Sequence, residues 1–145
     1  MANTYCSIII DKPVDEVFWG SNNVERWAEF FEEYSKVEIL ERDNNKIFFR
    51  ITNNDGQAWE SSRTYFPEHL LACAVREEPK FPFKYMNLRW LYRPVEGGTE
   101  MIWEQFFEMD PAAGITEDQA VSFIENHSNV NQAKFKQWIE GGGGV

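Results

Sequence analysis

The chain has 145 residues and a formal net charge of −10 at pH 7, so its length predicts one domain at residues 1–140 and a flexible glycine-rich tail at 141–145. Because phosphate binding needs clustered Lys and Arg, the acidic balance excludes nucleic acid and anionic membrane surfaces as partners. The N-terminus has no signal-peptide pattern and no apolar run has membrane-spanning length, so we expect a cytoplasmic protein.

Alternating apolar and polar residues between turn signals predict a sheet. The predicted strands are residues 5–10, 36–41, 46–52, 58–66, 70–76, 88–93 and 100–109. An irregular loop is expected at 77–84. Consecutive strands joined by short turns predict antiparallel pairing.

Three helices are predicted around these strands. One begins near Pro13 and runs through residue 19, and a second covers 24–31 with Asn22 or Asn23 as its cap. The third is long, because Thr116 and Gln119 form a capping-box pattern and the helical pattern continues to residue 140. This α+β order predicts a helix that covers the concave face of the sheet and leaves a cavity between them.

The strand at 58–66 turns polar side chains toward the interior. Side chains alternate between faces, and the face that carries Trp59 and Tyr65 must point inward with Ser61 and Arg63. The other face is an ordinary solvated set: Glu60, Ser62 and Thr64. A buried guanidinium is costly without a partner, so either a carboxylate neutralises Arg63 or the interior is a wet cavity for a polar ligand.

The long helix repeats this pattern. At 100° per residue, one stripe contains Ala120, Ile124, His127, Asn131, Phe135 and Trp138. The apolar ends of the stripe should face the core, which places His127 and Asn131 inside. They are either one satisfied buried pair or part of a polar cavity wall, and the strand and the helix together favour the cavity.

The candidate chemistry consists of hydrogen-bond donors. The two histidines and two cysteines have no metal-ligand spacing, and no phosphate-binding glycine loop or nucleophile–histidine pattern is present. Arg63, Tyr34 and Ser61 can polarise or protonate an oxygen. Arg76 either points inward beside its small neighbours or reaches solvent. Donors without a strong base suit the enolisation and condensation of a substrate with several carbonyls.

Several motifs carry a family resemblance. They are Ser-Ile-Ile-Ile at 7–10 with Pro13, the segment 23–34, Trp-Glu-Ser-Ser-Arg at 59–63, the segment 82–90 with its Tyr-Met-Asn-Leu stretch, and Gly-Gly-Thr-Glu-Met at 97–101 with Trp103. With these motifs the chain resembles the single-domain aromatase/cyclases of bacterial type II (aromatic) polyketide biosynthesis, in the START/Bet v 1-like (SRPBCC) superfamily.

The resemblance implies a helix-grip fold with a deep pocket and no metal or organic cofactor. It implies that a poly-β-ketone tethered to an acyl carrier protein folds in that pocket, beside other subunits of the polyketide synthase. The first ring then forms by an aldol condensation and aromatises by loss of water.

Site residues follow from the same motifs. The resemblance implies that Arg63 anchors a substrate carbonyl and stabilises the enolate, with Ser61 beside it, and that Tyr34 donates a proton. The implied substrate-binding positions are Trp27, Phe31, Trp59, Arg76, Met86, Trp90, Trp103 and Asn131, and we add Phe83 and His127 as candidate substrate-binding residues. His127 departs from the family, in which a small hydroxyl residue is more familiar.

Two other functions fit the same residues. A non-catalytic START-like carrier would bind an aromatic or lipid-like ligand in the same fold. An interaction subunit of a synthase would instead have a filled core, with Arg63 paired to an internal carboxylate.

Overall fold

A curved antiparallel sheet forms most of the molecule, which is represented by a computed structural model that describes residues 2–76 and 82–143. The strands within these residues are β1 (Ala2–Ile10), β2 (Tyr34–Asp43), β3 (Lys46–Asn53), β4 (Ala58–Phe66), β5 (Leu71–Arg76), β6 (Phe83–Val95) and β7 (Gly98–Met109). Their order is β1-β7-β6-β5-β4-β3-β2, and every neighbouring pair is antiparallel. The predicted antiparallel sheet is confirmed.

Helices occupy the predicted places in the chain. The helix α1 (Val14–Ser21) and a 3₁₀ helix at Val24–Glu29 follow β1, and α2 (Glu117–Glu140) follows β7. Single 3₁₀ turns lie at Pro67–His69 and Pro111–Ala113. In the part of the chain that the structure describes, no helix combines the length and apolarity that crossing a bilayer requires.

Several strands extend beyond their predicted bounds. β1 pairs with β7 from its first described residue, Ala2 opposite Phe107, and β6 continues in both directions because it pairs with β7 from Phe83 to Val95. Of the predicted loop at 77–84, residues 77–81 lie outside the described residues. The same is true of residues 144 and 145 in the predicted tail.

The second short helix differs from its prediction. It is a 3₁₀ helix that ends at Glu29 rather than a helix through residue 31. Phe30 and Phe31 leave the helix because their rings pack on α2. The Phe30 ring lies 4.3 Å from that of Trp138, and the Phe31 ring lies 5.0 Å from that of Phe135.

The capping box that begins α2 is confirmed. The Thr116 hydroxyl accepts a hydrogen bond from the Gln119 backbone N–H at 3.1 Å. The Gln119 side-chain oxygen in turn accepts from the Thr116 N–H at 2.9 Å. These reciprocal bonds satisfy two of the backbone donors that every helix start leaves free.

The buried face of α2 is rotated from the predicted stripe. Its buried residues are Ala120, Ile124, Ser128, Asn131, Gln132, Phe135 and Ile139. The prediction that His127 faces the core is wrong, since half of its side chain is exposed, and Trp138 is only half-buried. The rotation follows from packing on β1, where Gln132 Nε2 donates to the carbonyl oxygen of Cys6 at 3.1 Å.

The outer face of β4 also departs from prediction at one position. Ser62 is buried rather than solvated. Phe48 of β3 and Val75 of β5 lie directly opposite it on the two neighbouring strands. Side chains that face each other across strands are in contact distance, so these two cover the small serine.

The turn between β6 and β7 brings two backbones close together. Gly97 and Gly98 both have positive φ, at +88° and +136°. A Cβ on Gly98 would collide with the backbone carbonyl oxygen of Ile10, at the end of β1, whereas a Cβ on Gly97 would meet nothing. Gly98 therefore allows β1 and β7 to pair to their ends.

We expect Gly98→Ala to destabilise the protein much more than Gly97→Ala. Both substitutions strain a positive φ, which costs about 1–2 kcal/mol, but only the first adds a backbone collision, for a loss of more than about 3 kcal/mol. Urea denaturation followed by tryptophan fluorescence measures both. Equal losses would contradict the close approach of the two strands.

Candidate functional site

A cavity lies between the inner face of the sheet and α2. Its volume is ≈ 180 Å³. The predicted site residues that line it are Trp27, Phe31, Tyr34, Trp59, Ser61, Arg63, Arg76, Met86, Trp90, Trp103, His127 and Asn131. Phe83 is absent from the lining. β6 pairs irregularly with β7 between Phe83 and Tyr85, and the Phe83 ring packs edge-on against Phe107 at 5.6 Å.

β4 directs its polar side chains into this cavity as predicted. Ser61 and Arg63 are buried and line the cavity. Ala74 of β5 lies directly opposite Arg63. Because alanine has almost no side chain, the space beneath the sheet stays open for the long guanidinium.

The Arg63 guanidinium is buried without a carboxylate. Its side chain is 2% exposed, and no acidic side chain of residues 2–76 or 82–143 forms an ion pair with it. Nε donates to Asn22 Oδ1 at 2.8 Å, and the guanidinium lies over the Trp90 ring, 4.0 Å from its centroid. Burial lowers the pKa of Arg63, yet guanidinium stays protonated in proteins. The site therefore holds a positive charge.

Asn22 holds this charge in place, although its sequence position indicates only a possible helix cap. Its Nδ2 donates to the Phe18 carbonyl at 2.8 Å and to the Tyr92 hydroxyl at 3.0 Å, which leaves Oδ1 for Arg63. Tyr92 is itself bonded to Ser21 at 2.6 Å, and burial raises the pKa of Tyr92 to about 12. No periodicity identifies Asn22, because it lies between helices.

Four buried polar atoms on the cavity wall have no hydrogen-bond partner among the described residues. They are Arg63 Nη2, Trp90 Nε1, Trp103 Nε1 and Asn131 Oδ1. Buried polar atoms are nearly always hydrogen-bonded, so unpaired ones need an explanation. Three donors and one acceptor around one cavity suit a ligand that carries several oxygens.

One wall of the cavity is flat and aromatic. Trp90 and Trp103 stack at 4.2 Å with 9° between their planes. The Trp27 ring lies 5.9 Å from that of Trp90, and the Phe135 ring meets both stacked indoles edge-on at 5.5 and 5.6 Å. Planar rings fit such a wall better than bulky or branched groups.

Gln105 is a cavity residue that sequence reasoning missed. Its Oε1 accepts hydrogen bonds from Thr4 at 3.1 Å and Ser128 at 2.9 Å, which fixes the amide orientation. On β7 it shares one face of the strand with Trp103 and Phe107, which are both buried. The same period-two signal that identified Arg63 on β4 would have found it.

Tyr34 and Arg76 lie near each other on the cavity wall. The Tyr34 ring is 6.1 Å from that of Trp59, and the Arg76 guanidinium is 5.7 Å from the same ring. Burial raises the pKa of Tyr34, with a further rise from the charge of Glu33 and an opposing effect from Arg76. Tyr34 thus stays a protonated donor. Of the two orientations left open for Arg76, the structure has the inward one, opposite Ser61.

His127 lies at the edge of the cavity rather than inside it. Its Nε2 is 3.7 Å from Glu33 Oε1, and its ring is parallel to that of Phe123. Within the described ranges, no group of three or more His, Cys, Asp or Glu side chains is arranged to hold a metal ion.

Comparisons with known proteins agree with this fold. Residues 10–136 match the family model described as "Polyketide cyclase / dehydrase and lipid transport". A Streptomyces cyaneus protein named "Putative polyketide cyclase" is 37% identical over 143 residues, which cover 95% of this chain and 93% of the relative. A Streptomyces halstedii protein of the same name is 35% identical over 106 residues, 70% of this chain and 96% of the relative.

A solved structure has the same architecture. The Zhui aromatase/cyclase from Streptomyces sp. R1128 superposes with a TM-score of 0.77, at 20% identity, over 97% of this chain and 92% of the other. At this identity the match concerns the fold alone. The predicted helix-grip fold is thereby confirmed.

We expect Asn22→Ala to lower the free energy of unfolding by roughly 2–4 kcal/mol, because it removes the one side-chain acceptor that the buried charge of Arg63 has among the described residues. Asn23→Ala is the matched control, since Asn23 makes no side-chain capping bond. Urea denaturation measures both variants. Similar small losses would show that Asn22 does not hold Arg63.

Proposed function

We propose a polyketide cyclase function for this chain, which belongs to the polyketide cyclase / dehydrase and lipid transport family. In this proposal the protein is an aromatase/cyclase of a type II polyketide synthase. It binds a poly-β-ketone attached to an acyl carrier protein, directs the aldol closure of the first ring, and assists its aromatisation by loss of water. Other subunits of the synthase supply the substrate.

The observation that carries this proposal is the unneutralised charge of Arg63. When a methylene between two carbonyls loses a proton, negative charge develops on the carbonyl oxygen. Arg63 lines the cavity, and its buried Nη2 is a charged donor that has no partner among the described residues. A fixed donor in a site that excludes water stabilises such an oxyanion strongly, since it needs no reorganisation.

Tyr34 and Ser61 have the complementary roles. The enolate carbon attacks a ketone carbon, a C–C bond forms, and the ketone oxygen becomes an alkoxide that must gain a proton. The raised pKa of Tyr34 keeps its phenol protonated for that transfer. Ser61 lies opposite Arg76 on the adjacent strand and adds a hydroxyl to the cavity lining that holds both arginines.

The size and shape of the cavity support closure of one ring. At ≈ 180 Å³ it is smaller than typical ligand pockets of about 300–1,000 Å³. A folded ring-forming segment fits such a space, while the remainder of the chain extends toward the carrier. The aromatic wall that contains Trp90 and Trp103 favours a planar product, because flat rings pack well against aromatic side chains.

The same contacts argue against a carrier of a lipid-like ligand and against an interaction subunit. A lipid-like ligand would leave the unpaired atoms of Arg63, Trp90, Trp103 and Asn131 against hydrocarbon, at the full cost of desolvation. An interaction subunit was expected to have a filled core with an Arg63–carboxylate pair. Instead the described residues enclose a cavity beside an Arg63 that makes no such pair.

We expect Arg63→Ala to divert a reconstituted synthase from the directed aromatic product to spontaneously cyclised shunt compounds. The loss should be on the order of 10²-fold, as for removal of an oxyanion donor. Arg63→Lys keeps a cation without the guanidinium fork and should recover part of the product. Chromatography of the products measures both.

Arg93→Ala is the matched control, because Arg93 is an exposed residue of β6 that bonds only Glu100 among the described residues. It should leave the product profile unchanged. Circular dichroism and thermal melting test whether each variant folds. A folded Arg63 variant with the unaltered profile would overturn the proposed role, and tight ligand binding without any product would favour the carrier function.

A further inference from the structure

One titratable group on the cavity wall has no part in the function proposed so far. The lining contains four ionisable side chains: Tyr34, Arg63, Arg76 and His127. The two guanidinium groups do not release protons near neutral pH. Tyr34 holds its proton because burial raises its pKa. Among the described lining residues, this leaves His127 as the side chain able to accept a proton.

His127 is positioned by two neighbours. Its Nε2 lies 3.7 Å from Glu33 Oε1, a buried oxygen that has no hydrogen-bond partner among the described residues. Phe123 lies one turn earlier on α2 with its ring 6.2 Å away and only 4° from parallel. A carboxylate beside one ring nitrogen favours the proton there, so Nδ1 keeps the free lone pair.

Among the described residues, Glu33 is the carboxylate that lies beside the imidazole. Glu33 and Tyr34 approach from the start of β2, Arg76 lines the cavity from β5, and Arg63 does so from β4. Half of the His127 side chain is exposed, so solvent and an entering substrate both reach it.

We infer that His127, oriented by Glu33, is the general base that removes the methylene proton before ring closure. This inference rests on the proposed cyclase function. It supplies the general base for that function, because Arg63, Tyr34 and Ser61 act in it as hydrogen-bond or proton donors. Glu33 is a positioning residue, because it acts through the imidazole.

Every proton that is removed in this reaction is returned within the site. His127 Nδ1 takes a proton from the methylene carbon, and the electron pair of the C–H bond becomes the enolate that Arg63 stabilises. The enolate carbon bonds to the ketone carbon, and Tyr34 protonates the resulting alkoxide. The imidazolium returns its proton to the tyrosinate, so no proton, electron or co-reactant is gained or lost.

The test separates proton removal from cyclisation. A 1,3-diketone that cannot cyclise is deuterated at its central methylene, and NMR follows exchange of the deuterium with water. Wild-type protein should accelerate the exchange, and His127→Ala should lower the catalysed rate on the order of 10²-fold. Added imidazole should restore part of the rate, because the half-exposed position admits it.

His69→Gln is the matched control, since it removes the other histidine of the chain, an exposed one. It should leave exchange unchanged. Glu33→Ala should lower kcat severalfold at constant KM, and Glu33→Gln should retain more activity, because its amide oxygen keeps a polar acceptor near Nε2.

Failure of this inference and failure of the proposed function are distinguishable. If wild-type protein directs product formation but His127→Ala exchanges deuterium and forms product at the wild-type rate, His127 is not the base and the cyclase function remains. If wild-type protein forms only shunt compounds in the reconstituted synthase, the function itself is overturned.

Discussion

The arrangement of the interior depends on a guanidinium that is buried without a counter-ion. Arg63 is held by one amide oxygen of Asn22 and by the face of Trp90, which orient the charge but do not neutralise it. Cation–π contacts and a single neutral acceptor stabilise a buried cation only in part. The remaining stabilisation has to come from whatever enters the cavity. The protein thus keeps an unsatisfied electrostatic site where a substrate can complete it.

This arrangement links the two layers of the fold. Asn22 follows α1, and its bonds to Phe18 and Tyr92 tie the helix end to β6, while its bond to Arg63 reaches β4. The position of the charge is therefore set by the packing of α1 on the sheet. A substitution far from the cavity that shifts α1 would move the guanidinium, and the oxyanion role that we propose for it depends on sub-ångström placement.

Periodicity predicted much of this site and missed the parts that depend on tertiary contacts. The alternation in β4 placed Ser61 and Arg63 inside, because a strand with one aromatic face has only one way to bury it. On α2 the helical period is less decisive, since residues three and four apart share a face, and the contact with β1 selected Ser128 over His127. Asn22 belongs to no periodic segment, so only the coordinates assign it to Arg63.

The pairing of β1 with β7 has a consequence for biosynthesis. Ala2 lies opposite Phe107, and α2 then returns so that Gln132 bonds the carbonyl of Cys6. The first strand therefore has no partner in the described sheet until β7, at Gly98–Met109, has left the ribosome. Contacts between such distant positions form slowly and leave nascent chains open to aggregation. The cavity is accordingly among the last features to form, because a partly synthesised chain lacks the parts of its wall that β7 and α2 supply.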